Sequence, residues 1–182
     1  MNEKAVFLAT KGLMGDKSLH AAPQPPSFTP EEWKALRLLT LAGYTIVLFT
    51  ARTIPQYAPD TSNEWSSRYH EYSDRCQPVS QHPTEVSKQV TTLLEATAKL
   101  QVDLPGSWIV GDRLDTIEVG RLVGCSTIFV TDGSESGWEM TATRWPDLIA
   151  GDLWETACLI VISDGSSVEG LSSHMEDDLD SL

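Results

Sequence analysis

Residues 29–49 read Thr-Pro-Glu-Glu-Trp-Lys-Ala-Leu-Arg-Leu-Leu-Thr-Leu-Ala-Gly-Tyr-Thr-Ile-Val-Leu-Phe, and this stretch decides the fold. Thr29 is a helix N-cap, Pro30 suits the first helical position, and Glu32 completes a capping box. Trp33, Leu36 and Leu39 or Thr40 then fall on one face, and Gly43 stops the helix. The run from Tyr44 to Phe49 follows at once, apolar and β-branched, as a buried strand. A second short apolar run, Lys4 to Leu8, precedes the helix. Strand, helix and strand in that order make a βαβ unit, which requires a parallel sheet.

The same alternation continues downstream. Thr84 to Leu100 carries Val86, Val90, Leu93, Leu94, Thr97 and Leu100 at helical spacing. Pro105-Gly106 breaks the chain before the strand Trp108-Ile109-Val110, which ends at Gly111-Asp112. A helix from about Asp115 to Val123 is closed by Gly124, and Ser126 to Val130 gives another strand. Residues 146–153 predict a short fifth strand and a final helix running to about Val161. The whole is an α/β fold, a three-layer doubly wound parallel sheet.

Two segments depart from this rhythm. Residues 51–83 form an insert after the second strand, irregular and rich in Ser, Pro, Tyr and Arg, too long for a turn and suited to a cap or a binding loop. From 163 to 182 the chain holds many Ser, Asp, Glu and Gly residues and the acidic run Glu176-Asp177-Asp178-Leu179-Asp180. So few apolar groups cannot offset the entropy of ordering, which predicts a disordered tail beyond a domain of residues 1–162. The other reading of the tail is a short acidic docking motif ending in Leu179 and Leu182.

Composition narrows the partners. The 182 residues carry a formal net charge of −13, which disfavours nucleic acid and anionic membrane surfaces. No run is long enough to span a membrane or serve as a signal peptide, so a cytoplasmic protein is expected. Cys76, Cys125 and Cys158 lie far apart, which suggests neither a zinc site nor a disulfide framework. His20, His70, His82 and His174 lack metal-ligand spacing.

Ligands of open α/β sheets bind beyond the carboxyl ends of the strands. Three such ends are Val6-Phe7-Leu8-Ala9-Thr10-Lys11-Gly12, Leu48-Phe49-Thr50-Ala51-Arg52 and Val110-Gly111-Asp112-Arg113-Leu114-Asp115-Thr116. Together with Ile117 to Cys125 they resemble the haloacid dehalogenase (HAD) superfamily. The phosphatases of the histidinol-phosphate and heptose-bisphosphate type are the most similar, over about residues 4–160.

The resemblance implies a set of roles and shows where this chain departs from them. The family's first strand ends in D-x-D-G-T; here Gly12 is kept, but the nucleophile position is Ala9 and the general-acid position is Lys11. The phosphoryl-binding hydroxyl falls on Thr50, followed by Ala51 and Arg52. Lys88 is the nearest candidate for the family's lysine, although the K-P pattern is missing. In the magnesium motif G-D-x-x-x-D, Asp112 is retained, the last acid has become Thr116, and Asp115 stands one residue early.

An alanine cannot attack phosphorus, and the aspartyl-phosphate route needs an in-line carboxylate. With one clear acid left, no cofactor is expected, and magnesium, which favours several oxygen ligands, is reduced to a weak possibility at Asp112 with Asp115 doubtful. Lys11 is placed to pair with Asp112 and stand in for the cation. The function expected is a catalytically degenerate phosphatase relative that binds a protein or a phosphorylated ligand through Thr50, Arg52 and Lys11. The protein partner would dock on the insert, where Trp65, Tyr69 and Tyr72 lie near Arg68 and Arg75, or on the acidic tail. The alternative is a magnesium-dependent phosphomonoesterase with relocated residues, such as Asp16 or Asp112.

Overall fold

The computed structural model describes residues 3–9, 28–50, 69–73, 85–131, 141–165 and 168. Six strands form one sheet in the order β3-β2-β1-β4-β5-β6, and every neighbouring pair is parallel. They are β1 (Lys4–Ala9), β2 (Tyr44–Thr50), β3 (Tyr69–Ser73), β4 (Trp108–Gly111), β5 (Ser126–Val130) and β6 (Leu148–Ala150). The helices are α1 (Pro30–Leu41), α2 (Glu85–Leu100), α3 (Leu114–Val123) and α4 (Leu153–Ser163). The doubly wound α/β sheet predicted from sequence is therefore the observed one.

Successive residues of a strand point to opposite faces, and β1 divides its side chains accordingly. Val6 and Leu8 join a core with Leu36, Leu39, Ile46, Val110, Ile128 and Ile160, roofed by α1 and α4. Ala5 and Phe7 join Val47, Leu93, Ile109 and Val119 on the opposite face, under α2 and α3. A strand buried on both faces reads as a continuous apolar run, which is why β1, β2 and β5 are legible.

The start of α1 follows its sequence signals. Glu32 N–H donates to Thr29 Oγ1 at 3.2 Å, and Thr29 N–H donates to the Glu32 carboxylate at 2.7 Å. Trp33 does not share the face of Leu36 and Leu39 as expected; it is 52% exposed, its ring edge-on to Phe28 at 4.9 Å. The buried arc is Ala35, Leu36, Leu38 and Leu39, and at about 100° per residue Trp33 lies roughly 140° from its centre. Gly43 and Gly124 follow α1 and α3 with φ of +88° and +83°, a backbone region open to glycine at little cost.

Two boundaries differ from the sequence reading. The insert, expected to be irregular, contributes β3, whose Tyr69, His70, Glu71, Tyr72 and Ser73 pair with Ile46 through Thr50. An edge strand gains most of its stability from main-chain pairing, so Tyr-His-Glu-Tyr-Ser needs no apolar run. At the other end α4 extends to Ser163, Asp164 caps it, and Lys4 Nζ donates to both Asp164 carboxylate oxygens at 2.9 and 2.8 Å. Val168 packs against the α1 and α4 core. The remainder of the predicted tail lies outside the described residues. Among the described residues no helix is long and apolar enough to cross a membrane.

Candidate functional site

The strand order places a reversal at the centre of the sheet. From β1 the chain moves to β2 and β3 on one side, then returns to β4 and continues through β5 and β6 on the other. The carboxyl ends of β1 and β4 therefore flank the crevice where ligands of such sheets sit. Ala9 is opposite Phe49, with Thr50 the next residue along β2. On the other side Leu8 pairs with Val110, and Gly111 and Asp112 follow. Ala9, Thr50 and Asp112 are thus brought to one edge of the sheet.

Ala9 is 8% exposed and offers this edge a methyl group. Asp112 is half-buried, with its Oδ1 atom buried. The two neighbouring positions in the motif, Thr116 and Asp115, are otherwise engaged. Thr116, which stands where the resemblance places the last acid, is 4% exposed in the first turn of α3. Its methyl closes over Gly111, where an added Cβ would lie 2.6 Å from Thr116 Cγ2. This position packs the strand end instead of presenting a carboxylate.

Asp115 faces two guanidinium groups, Arg113 Nη2 at 2.9 Å and Arg144 Nη2 at 3.1 Å. Arg144 also bonds through Nε to Glu118 at 2.9 Å, and Thr143 Oγ1 donates to Glu118 at 3.3 Å. A network of this kind ties the acidic side of α3 to the segment before β6. Among the described residues, no three of His, Cys, Asp and Glu cluster as a metal-ligand set. Magnesium takes one or two protein carboxylates with waters and phosphate oxygens completing its octahedron, and at this edge Asp112 is the carboxylate that the described residues supply.

Among the described residues, the groups whose pKa values are clearly displaced lie elsewhere. Burial, with the nearby Asp164 carboxylate adding to it, pushes the Tyr44 phenol up to about 12 at the amino end of β2. Burial, with the charge of Asp103, pushes the Cys125 thiol up to about 12 just before β5. Cys158, on α4, is raised by burial and by Asp152 and Glu155. None stands at a strand's carboxyl end, and all three thiol and phenol groups are held neutral, the opposite of nucleophile activation.

Of the remaining sequence candidates, Lys88 lies on α2 and Tyr69 and Tyr72 lie on β3; their side chains are not among those described. Lys11, Gly12, Ala51, Arg52, Trp65, Arg68, Arg75 and Asp16 lie outside the described residues. Sequence reasoning missed Arg144 and the lock formed by Arg121, Asp147 and Thr127. Asp147 accepts from Arg121 Nη1 at 2.8 Å and from Thr127 N–H and Oγ1 at 2.8 Å each. No periodic pattern links these positions, so only the fold reveals them.

Comparison with known proteins agrees with this geometry. A family model described as HAD-hydrolase-like matches residues 86–156. No curated protein sequence matches the chain. Among solved structures, the 3-deoxy-D-manno-octulosonate 8-phosphate phosphatase from Yersinia pestis superposes with a TM-score of 0.64 at 17% identity, covering 93% of this chain and 85% of that one. The same enzyme from Moraxella catarrhalis, in complex with magnesium, phosphate and KDO, gives 0.60 at 17% identity over 96% and 92%. The D,D-heptose 1,7-bisphosphate phosphatase from B. bronchiseptica, complexed with magnesium and phosphate, gives 0.58 at 17% over 88% and 99%. The chain thus has the fold of the haloacid dehalogenase superfamily and, over residues 86–156, matches its sequence pattern.

Proposed function

We propose that this protein is a catalytically degenerate HAD-like chain, a pseudophosphatase that binds a phosphorylated ligand or a protein partner and acts as a regulatory subunit in the cytoplasm. The observation that carries this reading is Ala9, a methyl at the carboxyl end of β1 beside the sheet's reversal point. The resemblance implies a nucleophilic aspartate there. Without it, fold alone does not confer turnover.

Thr50, Ala51 and Arg52 after β2, with Gly12 and Lys11 after β1 and Lys88 from α2, form the anion-binding side of the site. Lys11 pairs with Asp112 and takes the place of a divalent cation, so the fold needs no metal. The aromatic insert with Trp65, Tyr69 and Tyr72 is the surface for a protein partner, and the negative net charge argues against nucleic acid. A second reading, a magnesium-dependent phosphomonoesterase with relocated residues, draws its support from Asp112, still in place after β4.

The test is hydrolysis of an aryl phosphate and a sugar-phosphate panel with magnesium, by wild type, Asp112→Asn, and the Ala9→Asp, Lys11→Asp double variant. The wild type is expected to show no turnover and no rise in melting temperature on adding magnesium; inorganic phosphate is expected to raise it, less so in Arg52→Ala. Wild-type turnover abolished by Asp112→Asn would establish the second reading instead.

A further inference from the structure

The flank of the molecule beyond β5 leaves three large apolar side chains in water. Trp145 is 61% exposed, Leu122 57% and Ile149 53%. Ile149 pairs with the buried Phe129. Because β5 turns Ile128 and Val130 to the α1 and α4 core, alternation puts Phe129 and Ile149 on the opposite, α3 face. On α3, at about 100° per residue, Leu122 falls within the arc from Glu118 to Asp115, the two acids that Arg144 holds at 2.9 and 3.1 Å. Trp145 follows Arg144 directly, and Asp147, two residues on, is tied to Arg121. The three apolar groups therefore lie along one flank, where α3 and the segment entering β6 run side by side.

The charge of this flank is balanced. Residues 113–123 and 141–150 carry three arginines and three acids, Asp115, Glu118 and Asp147, and all six stand in ion pairs. The net charge of −13 therefore falls wholly on other residues. Two copies of so acidic a chain repel one another, but at physiological ionic strength charges more than about 8 Å apart are largely screened, so the charge at the contact itself decides. This flank can meet itself without repulsion, and it offers no net charge to draw a strongly basic or acidic partner. Its main chain is also open to pairing. β6 is the last strand of the sheet. Thr131 N–H bonds to Ala150 O at 3.0 Å, so Ala150 turns its carbonyl to β5 and, by alternation, Ile149 turns its N–H and C=O outward. Leu148-Ile149-Ala150 holds none of the charges or prolines that usually blunt a sheet edge.

We propose that this flank is the contact between two copies of the chain, related by a twofold axis, with β6 antiparallel to its counterpart and Ile149 opposite Ile149 of the second copy. A twofold axis is what lets one edge meet itself, since each copy then presents the same patch to the other. Three residues make few main-chain bonds, so Trp145 and Leu122 supply apolar area around the axis and the paired charges form its rim. The two sheets join into one, and the open edge of β6 is removed from both copies. The contact makes no use of the carboxyl edge and stands whether or not phosphate is bound or turned over there.

Sedimentation equilibrium of the full chain across a concentration series tests it. Wild type is expected to be a monomer–dimer system with a Kd below about 100 µM. Ile149→Arg sets two like charges face to face on the axis and should raise that Kd at least about tenfold, whereas Trp33→Arg, on α1, should leave it unchanged. A twofold axis also brings one position against itself. Ile149→Cys should therefore form a disulfide-linked dimer on mild oxidation, because the Cα atoms of such a pair stand about 5.5 Å apart; wild type and Trp33→Cys should not. The cross-link decides the matter if Ile149→Arg unfolds the domain. A wild type that stays monomeric up to about 100 µM, a dimer that a folded Ile149→Arg does not weaken, or the absence of the Ile149→Cys cross-link would each overturn the proposal.

Discussion

Gly120 is the residue at which α3 comes closest to the sheet. A Cβ built there would stand 2.0 Å from Ile109 Cγ2 and 2.6 Å from Thr127 Cγ2, on β4 and β5. Both neighbours are fully buried and cannot swing aside, so Gly120→Ala must push the helix off the sheet. Overpacking of this kind costs about 1–3 kcal/mol and sometimes more, and a urea titration should show the midpoint falling while the slope stays constant. Sequence reading found Gly120 only as part of a pattern shared with a family; its packing duty became visible with the neighbours. Ala9 and Asp112 were legible for a simpler reason, because each ends an apolar run and strand ends are where such sheets present chemistry. Thr116 shows the limit of that reading. Its place in the motif was legible, yet that its methyl seals Gly111 depends on how the first turn of α3 sits.

At the scale of elements, the Asp147 carboxylate fastens the start of β6 to β5 and α3, beside the Arg144–Glu118 pair. Asp147 accepts from the Thr127 amide, the Thr127 hydroxyl and Arg121, and Asp147 N–H returns a bond to Thr127 Oγ1 at 3.0 Å. Thr127 is fully buried, so removing the carboxylate strands its amide. Asp147→Ala is expected to destabilise the fold by about 1–3 kcal/mol. Asp147→Asn, which keeps one carbonyl acceptor, should recover part of this in the same thermal melts. Exchange should quicken first at β6, the three-residue edge strand. The opposite edge explains what the sequence concealed. Strand β3 has no apolar alternation to mark it, whereas α1 announced both its ends through Thr29, Glu32 and Gly43. Local signals such as caps survive in a sequence; an edge strand defined by its neighbour does not.

At the scale of the whole molecule, the pKa values that folding clearly displaces among the described residues belong to groups far from the carboxyl edge. Unfolding returns Tyr44 from about 12 to 10.0 and Cys125 from about 12 to 9.0. The folded chain therefore binds these protons more tightly, and its stability should be full below about pH 9 and decline as pH rises toward 12. Cys125→Ala should flatten the decline that begins near 9, and Tyr44→Phe the part above 10, in denaturant midpoints measured across that range. At neutral pH Tyr44→Phe should change stability little, because among the described residues the buried hydroxyl has Asp164 nearby but no partner in good hydrogen-bonding geometry. The contact between Lys4 and Asp164 has a consequence of another kind. It holds the first residue of β1 against the cap of α4, so the first strand and the last described helix meet at one point on the amino edge. Seen this way the domain is a closed circuit with one cut in it: a short bridge could join the two ends, and the cut could be moved to another loop without reordering a single strand.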